Sequence, residues 1–132
     1  MNRQLTLLAA ILGFTGVGFG AFGAHGLKNA VEGLADASQR LAWWDTGSRY
    51  HLLHALAVGL MAVLAGQLKD RMSIVAGWLF ALGIALFSGS LYVMGATGIR
   101  WLGAVTPLGG IAMLVGWTLM ALGAWRLKTS TP

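Results

Sequence analysis

Cysteine is absent from this sequence, and charged residues are scarce. Of the 132 residues, only four are Asp or Glu and nine are Lys or Arg. The absence of cysteine excludes disulfides, thiolate metal sites and cysteine nucleophiles. Because 10% of the residues are charged while 57% are hydrophobic, a water-soluble domain of this length would lack the polar surface needed to cover itself. We therefore expect lipid to surround most of the chain.

The basic residues outnumber the acidic ones, and the formal net charge is +5. A nucleic-acid-binding domain concentrates Lys and Arg on one element, interleaved with aromatic residues. Here the basic residues bracket long apolar segments, as Lys69 and Arg71 do between two such runs. These positions favour membrane lipids with anionic headgroups as partners, and they argue against nucleic acid.

Four apolar segments are long enough to cross a bilayer, since about 20 helical residues span a hydrocarbon core of about 30 Å. The predicted spans cover residues of about 5–24, 49–66, 73–95 and 107–125. The first segment also has the features of a signal peptide, but we interpret it as a span. Thr106 before Pro107 is a favourable N-cap and first-turn pair for the last span. The predicted fold is an all-α membrane protein, a four-transmembrane-helix bundle in a single domain over residues 1–132.

The connection between spans one and two, residues of about 28–45, mixes apolar and charged side chains. Val31 and Leu34 alternate with Lys28 and Glu32, and the pair Trp43-Trp44 follows. This spacing predicts an amphipathic interfacial helix in the headgroup region, with the indole rings at the interface. A partly ordered polar loop is the alternative.

Small residues recur at four-residue spacing in two of the spans. Glycine costs about 1 kcal/mol relative to alanine inside a water-exposed helix. In lipid, however, the 20 glycines of this chain favour close helix packing. The predicted packing positions are Gly16, Gly20 and Ala24 in span one, and Gly77, Ala81, Ala85 and Gly89 in span three. The facing helix can belong to this chain or to another one.

The distribution of Lys and Arg predicts the orientation. With four spans, both termini lie on one side of the membrane. That side carries Arg3, Lys69, Arg71, Arg126 and Lys128, and the other side carries Lys28, Arg40, Arg49 and Arg100. Because basic residues are retained on the cytoplasmic side, we expect the termini to be cytoplasmic.

Almost every unusual polar residue falls near the membrane face opposite to the termini. This candidate polar cluster consists of His25, Arg49, Tyr50, His51, His54, Ser88, Ser90, Tyr92 and Thr106. Helical spacing allows His54 to share a face with Tyr50 and with His51. A polar group inside the bilayer needs a partner, so we expect His54 to bond to a span-three hydroxyl. We expect His25 to cap a helix C-terminus.

Chemical roles for the cluster are less well supported. The histidines could ligate haem or a metal, or form a proton relay. No carboxylate lies among them to orient an imidazole, however, so we predict neither a metal site nor a cofactor. Catalysis by Ser88 or Ser90 lacks a neighbouring acid, since the nearest, Asp45, is expected outside the hydrocarbon. We predict no catalytic residues.

Several motifs look like those of the YgdD-like family of small bacterial inner-membrane proteins, which has mitochondrial transmembrane relatives. They are Gly20–Leu27, Tyr50 with His54–Leu56, Phe87–Tyr92, Thr106–Gly110 and Gly116–Trp117. The resemblance covers nearly the whole chain in the expected order. It implies a multi-pass protein of the bacterial inner (cytoplasmic) membrane, in a family classed as a domain of unknown function. It implies no activity, substrate or cofactor, but its motifs coincide with most of the candidate polar cluster.

Together these features predict a non-enzymatic membrane protein. Its polar cluster either holds the bundle together or contacts a lipid, another membrane protein or a second copy of the chain. The first alternative is a small redox or ligand-binding protein, in which His25 and His54 hold haem or a metal or the cluster meets a quinone headgroup. The second is a small transporter subunit, although none of the four acidic residues is placed within a span.

Overall fold

A computed structural model describes residues 1–126, and these residues form four long helices without strands. The helices are α1 (Arg3–Ala30), α2 (Ala37–Leu68), α3 (Arg71–Thr97) and α4 (Thr106–Trp125), the last preceded by a 3-10 turn at Trp101–Ala104. All four lie in segments long and apolar enough to cross a membrane. Each predicted span falls within one helix, and the all-α four-helix fold is confirmed. Lys128, used in the orientation argument, lies outside the described residues.

Capping residues explain where the helices begin. The Asn2 side chain accepts from the Leu5 backbone N–H at 3.1 Å at the start of α1. Before α3, the Asp70 carboxylate accepts from the backbone N–H of Ser73 at 2.8 Å and from its hydroxyl at 2.7 Å. The prediction that Thr106 caps α4 is wrong. Thr106 is the first helical residue, and its hydroxyl bonds to Ser90 instead.

The segment of residues 28–45 does not form the predicted separate amphipathic helix. The first helix continues to Ala30, and α2 already begins at Ala37. Leu27 and Val31 are 2% and 1% exposed and pack in one cluster with Trp44 and Tyr92. Because these apolar side chains find partners inside the bundle, they do not lie on a membrane surface. One side of the connection therefore packs on the bundle core, whereas Lys28, Glu32 and Leu34 remain exposed.

Arg40 holds the first turns of α2, which precede the predicted second span, against the end of α3. Its Nε donates to the Gly95 carbonyl at 2.8 Å, and a terminal nitrogen donates to the Ala96 carbonyl. The last carbonyls of a helix have no intrahelical partner and carry partial negative charge. A guanidinium at this position satisfies them, and it lies in the part of α2 that precedes the predicted start at residue 49.

Both α1 and α3 contain a π-helical turn, at Gly23–Leu27 and Ile84–Ser88 respectively. A π-turn widens the helix locally and changes which side chains share a face beyond it. In α1 the helix continues through this turn to Ala30, beyond the predicted end of span one near residue 24. His25 therefore lies within the helix rather than at its C-terminus, and its predicted capping role is wrong.

Glycines allow the helices to approach closely at several points. A Cβ on Gly77 would lie 2.8 Å from a Leu5 methyl, and one on Gly16 would lie 2.8 Å from a Leu52 methyl. Between α3 and α4, the closest approach is made by Gly109, where a Cβ would lie 2.8 Å from the Phe87 Cα. The predicted roles of Gly16 and Gly77 in packing therefore correspond to contacts within this chain. Gly109 was not predicted.

Candidate functional site

Four residues of the candidate polar cluster lie in two histidine-centred sites, which Thr15 and Trp117 complete. The His51 site consists of Thr15, His51 and Tyr92, from α1, α2 and α3. The His54 site consists of Tyr50, His54 and Trp117, from α2 and α4. His51 and His54 are 3% and 6% exposed. Tyr50 and His54 stack on one face as predicted, with ring centroids 5.8 Å apart. His51 instead turns its ring toward α1 and α3, so the two histidines do not act as a pair.

One pattern of donors and acceptors accounts for the hydrogen bonds that join Thr15, His51 and Tyr92. The Thr15 hydroxyl donates to the Ile11 carbonyl at 2.9 Å. Because that hydroxyl has one hydrogen, it accepts from His51 Nε2–H at 3.4 Å. His51 Nδ1 is then unprotonated and accepts from the Tyr92 hydroxyl at 3.0 Å. His51 is thus neutral and protonated on Nε2.

His54 has the opposite tautomer. Its Nδ1–H donates to the Tyr50 carbonyl at 2.8 Å, and its Nε2 accepts from the Trp117 indole N–H at 3.2 Å. The predicted partner, a hydroxyl of span three, is wrong, since the partner is an indole of α4. Trp117 lies in one of the motifs that carry the family resemblance, and that motif was the signal that could have identified it.

The hydroxyl groups of the cluster tie α3 to its neighbours. Ser88 is fully buried and donates to the Gly47 carbonyl of α2 at 2.7 Å. Ser90 donates to the Phe87 carbonyl at 2.9 Å and lies 2.7 Å from the Thr106 hydroxyl. Both serine hydrogens are therefore used by carbonyl acceptors. Neither serine has the base that activates a nucleophile.

His25 and Arg49 are not brought to these sites. His25 is exposed, and no hydrogen bond or ring contact within residues 1–126 joins it to His54. Arg49 pairs with Asp45 at 2.8 Å, and its side chain is 73% exposed. Within residues 1–126 no group of three or more His, Asp or Glu side chains could hold a metal ion. Both nitrogens of His51 and His54 are already engaged.

Trp44 is a buried residue that the sequence had suggested for the interface. It is 7% exposed, and its indole N–H donates to the Phe19 carbonyl at 2.7 Å. Its ring contacts Tyr92 and Phe19, with centroids 4.6 and 6.0 Å away. This aromatic group places Tyr92 beside His51. Periodicity did not reveal it, because the contact joins three different helices.

A cleft of about 230 Å³ separates α1 from α3 beside the His51 site. We call it the α1–α3 cleft, and its lining includes Thr15, Phe19, His51, Gly89 and Tyr92. A Cβ on Gly89 would meet no atom within 4 Å, so this end of the predicted small-residue row faces open space. Ala81 and Ala85 line the same cleft. The row of small residues therefore packs against another helix at Gly77 and lines the α1–α3 cleft at Ala81, Ala85 and Gly89.

The other predicted packing residues lie near the start of α2. A Cβ on Gly20 would lie 3.1 Å from the Ser48 hydroxyl, which places Gly20 close to α2. Ala24 is exposed and lines a second cleft with Gly20, Lys28 and Asp45. Of the predicted positions in span one, Gly16 and Gly20 therefore lie close to α2, and Gly23 does so as well, since a Cβ there would lie 2.7 Å from the Trp44 indole nitrogen.

Comparison with known proteins gives relatives along nearly the entire chain. Residues 19–110 match the profile of a family described as "Protein of unknown function (DUF423)". The chain is 44% identical over 123 residues to UPF0382 membrane protein YwdK of Bacillus subtilis, covering 92% of this chain and 96% of the relative. It is 41% identical over 130 residues to UPF0382 inner membrane protein YgdD of Escherichia coli K12, covering 96% and 93%. No solved structure gives a significant match.

Proposed function

Since this chain belongs to the DUF423 family of integral membrane proteins, whose description states no activity, we propose that it is a non-enzymatic helix bundle that contacts lipid. In this proposal the buried polar residues hold the helices in register. The observation that carries it is the pairing of the buried groups. No buried side-chain nitrogen or oxygen within residues 1–126 lacks a hydrogen-bond partner. In hydrocarbon, each unpaired polar group would cost several kcal/mol.

The absence of an enzymatic role is supported by where the carboxylates lie. Asp45 pairs with Arg49, Asp70 caps α3, and Asp36 lies 4.0 Å from Arg40. None of these groups orients His51 or His54, whose nitrogens bond to other partners. General acid–base chemistry requires a proton-transferring group within hydrogen-bond reach of a reactant. Three of these bonds connect α2 to another helix, and the bond from His54 to the Tyr50 carbonyl lies within α2.

Trp117→Phe tests the connecting role. Phenylalanine keeps an aromatic ring beside Phe80 but removes the N–H that His54 accepts. Interhelical hydrogen bonds in membranes contribute about 0.6 kcal/mol on average and about 1.7 kcal/mol at most. We expect a lower unfolding temperature in mild detergent. The matched control is Trp125→Phe, because Trp125 is 89% exposed. If both variants unfold at the same temperature, the His54 site does not stabilise the bundle.

A second candidate function is the binding of a quinone-like headgroup, and the α1–α3 cleft favours it. The rings of Phe19 and Tyr92 border this cleft with centroids 4.8 Å apart. The bond from His51 Nε2–H to Thr15 is long at 3.4 Å, so a carbonyl in the cleft could replace Thr15 as the acceptor. This geometry suits a small planar carbonyl compound that enters from the bilayer.

Gly89→Leu tests the second candidate by filling the cleft. A Cβ at Gly89 or at Gly13 would meet no atom within 4 Å, so Gly13→Leu is the matched control outside the cleft. We expect mass spectrometry of solvent extracts to detect a quinone with the wild type and with Gly13→Leu, and not with Gly89→Leu. A wild-type extract without quinone would remove this candidate, as would equal retention by both variants.

We also propose that the protein lies in the bacterial inner membrane with its termini in the cytoplasm. The Escherichia coli relative is named an inner membrane protein. The face that carries the chain start also carries Arg3, Lys69, Arg71 and Arg126, where Asp70 is the one acidic residue within residues 1–126. Such an excess of basic residues favours the cytoplasmic side.

A further inference from the structure

A third cleft, of about 380 Å³, lies on the membrane face that carries the N-terminus. The α2–α3 turn and the end of α4 form this cleft, which we call the terminal cleft. Its lining residues are Leu68, Asp70, Arg71, Met72, Gly123 and Arg126. An Arg126 terminal nitrogen lies 3.6 Å from the Met72 sulfur, so its side chain reaches from α4 to α3. Two guanidinium groups thus border one concave surface with apolar walls.

The acidic group in the terminal cleft is already engaged. Both Asp70 oxygens accept hydrogen bonds from Ser73. Within residues 1–126, the ion pairs join Asp36 to Arg40 and Asp45 to Arg49, all on the opposite face. In this part of the chain, Arg71 and Arg126 have no carboxylate counter-ion. With Asp70 ionised, the two arginines still leave the cleft with one net positive charge, which is available to an anion from outside the chain.

The arginines on the opposite face are engaged differently. Arg40 donates to two carbonyls at the end of α3, and Arg49 pairs with Asp45 at 2.8 Å. The Arg100 guanidinium lies over the Trp43 ring, 5.8 Å from its centroid. The terminal face has an excess of positive charge and also a cleft. In that cleft, Arg71 and Arg126 can contact the same bound ligand.

We propose that the terminal cleft binds the phosphate of an anionic phospholipid headgroup. Guanidinium groups match phosphate geometry through paired N–H donors, so Arg71 and Arg126 contact the phosphate oxygens from two helices. Leu68 and Met72 contact the glycerol and the first acyl carbons. Basic pockets between transmembrane helices on the cytoplasmic side bind such headgroups. This inference deepens the lipid-contacting role proposed above, and it is independent of the role of the two histidine sites.

The experiment compares two double variants of equal charge change. Arg71→Gln/Arg126→Gln removes both guanidinium groups of the cleft, and Arg3→Gln/Lys69→Gln removes two cations from the same face outside it. Each full-length protein is titrated with phosphatidylglycerol or phosphatidylcholine in mild detergent and measured by native mass spectrometry. We expect the wild type to prefer phosphatidylglycerol. The cleft variant should lose about thirtyfold in affinity for it, and the control less than about threefold.

Three results would overturn the proposal. Equal losses in the two double variants would mean that surface charge alone attracts the lipid. Displacement of bound phosphatidylglycerol by millimolar inorganic phosphate would identify a soluble anion as the ligand. An undiminished preference in the cleft variant would exclude the site. If the glutamine variant does not fold, Arg71→Lys/Arg126→Lys replaces it and should lose about tenfold or less, since charge remains without the paired donors. The unfolding temperatures of Trp117→Phe and of its control Trp125→Phe test the proposed function separately.

Discussion

The two buried histidines satisfy their hydrogen-bonding groups without a charge. A neutral imidazole has one N–H and one lone pair, and each histidine meets one acceptor and one donor. An ionised group in the hydrocarbon would be far more costly than this neutral arrangement. His51 and His54 have opposite tautomers because the indole of Trp117 can only donate, whereas the Thr15 hydroxyl is left to accept. Each histidine therefore connects two particular neighbours.

Asp70 gives a pH-dependent contribution at the start of α3. Burial opposes ionisation of this carboxyl, but hydrogen bonds from the Ser73 hydroxyl and from backbone N–H groups outweigh it and hold the pKa below its ordinary value of 3.8. A carboxyl whose pKa is lower in the folded state stabilises the fold above that ordinary value. This stabilisation is lost as the pH falls through the folded-state pKa.

We predict that Asp70→Asn reduces the acid sensitivity of the fold, because asparagine caps a helix without titrating. The unfolding temperature in mild detergent, measured from pH 7 to pH 2.5, should fall less steeply below about pH 4 in the variant than in the wild type. Asp45→Asn is the control, since its carboxylate is exposed and pairs with Arg49 on the opposite face. Parallel curves for wild type and Asp70→Asn would contradict the prediction.

Of the four helices, α2 has the N-terminal boundary that the sequence predicts least well. Hydropathy places its apolar part near residues 49–66, but the helix runs from Ala37 to Leu68. The additional turns include Arg40, whose side chain is 12% exposed and caps the end of α3. This cap joins residues 55 positions apart in the chain, and no local pattern indicates it.

We predict that Arg40→Gln loosens the first turns of α2 without unfolding the bundle. Hydrogen bonds to charged groups contribute about 1.5–3 kcal/mol. Amide hydrogen exchange over residues 37–43 should therefore become about tenfold faster or more. Arg49→Gln is the matched control, because its ion pair is exposed and such pairs contribute about 0–1 kcal/mol. Equal exchange in the two variants would show that Arg40 does not hold this segment.

The row of small residues along α3 serves two purposes that its spacing does not separate. Gly77 lies against Leu5 and Met61, so it allows close contact between helices. Ala85 and Gly89 instead line the α1–α3 cleft. The π-turn at Ile84–Ser88 follows the first region and contains Ala85 of the second. Four-residue spacing predicts a smooth surface, and the position of α1 determines which part of that surface is covered.

For the bundle as a whole, the distribution of basic residues leads to a prediction about orientation. Asn2 bonds to the Ala62 carbonyl near the end of α2, and Arg126 contacts Met72 at the start of α3. These contacts bring the described chain ends and the α2–α3 turn to one face. We expect a C-terminal green fluorescent protein fusion to fluoresce and a C-terminal alkaline phosphatase fusion to be inactive. The reverse pattern would place the termini outside the cytoplasm.

The number of helices and the residue types of the candidate site were accessible from the sequence. In lipid every backbone group must bond within its own segment, so each long apolar run has to be a helix whatever its neighbours are. Polar residues within those runs need partners, and this requirement identified His51, His54, Ser88, Ser90 and Tyr92. Both conclusions depend on local composition alone.

The choice of partners depended on how the helices pack. A histidine on α2 can turn toward either neighbouring pair of helices, and helical spacing does not distinguish them. Packing directs His51 to Thr15 and Tyr92, and it directs His54 to Trp117 rather than to a hydroxyl of α3. Packing also buries Val31 and Trp44, so the predicted amphipathic helix at the membrane surface does not form. These contacts join residues far apart in the chain, and their energies depend on distances that appear only when the helices are assembled.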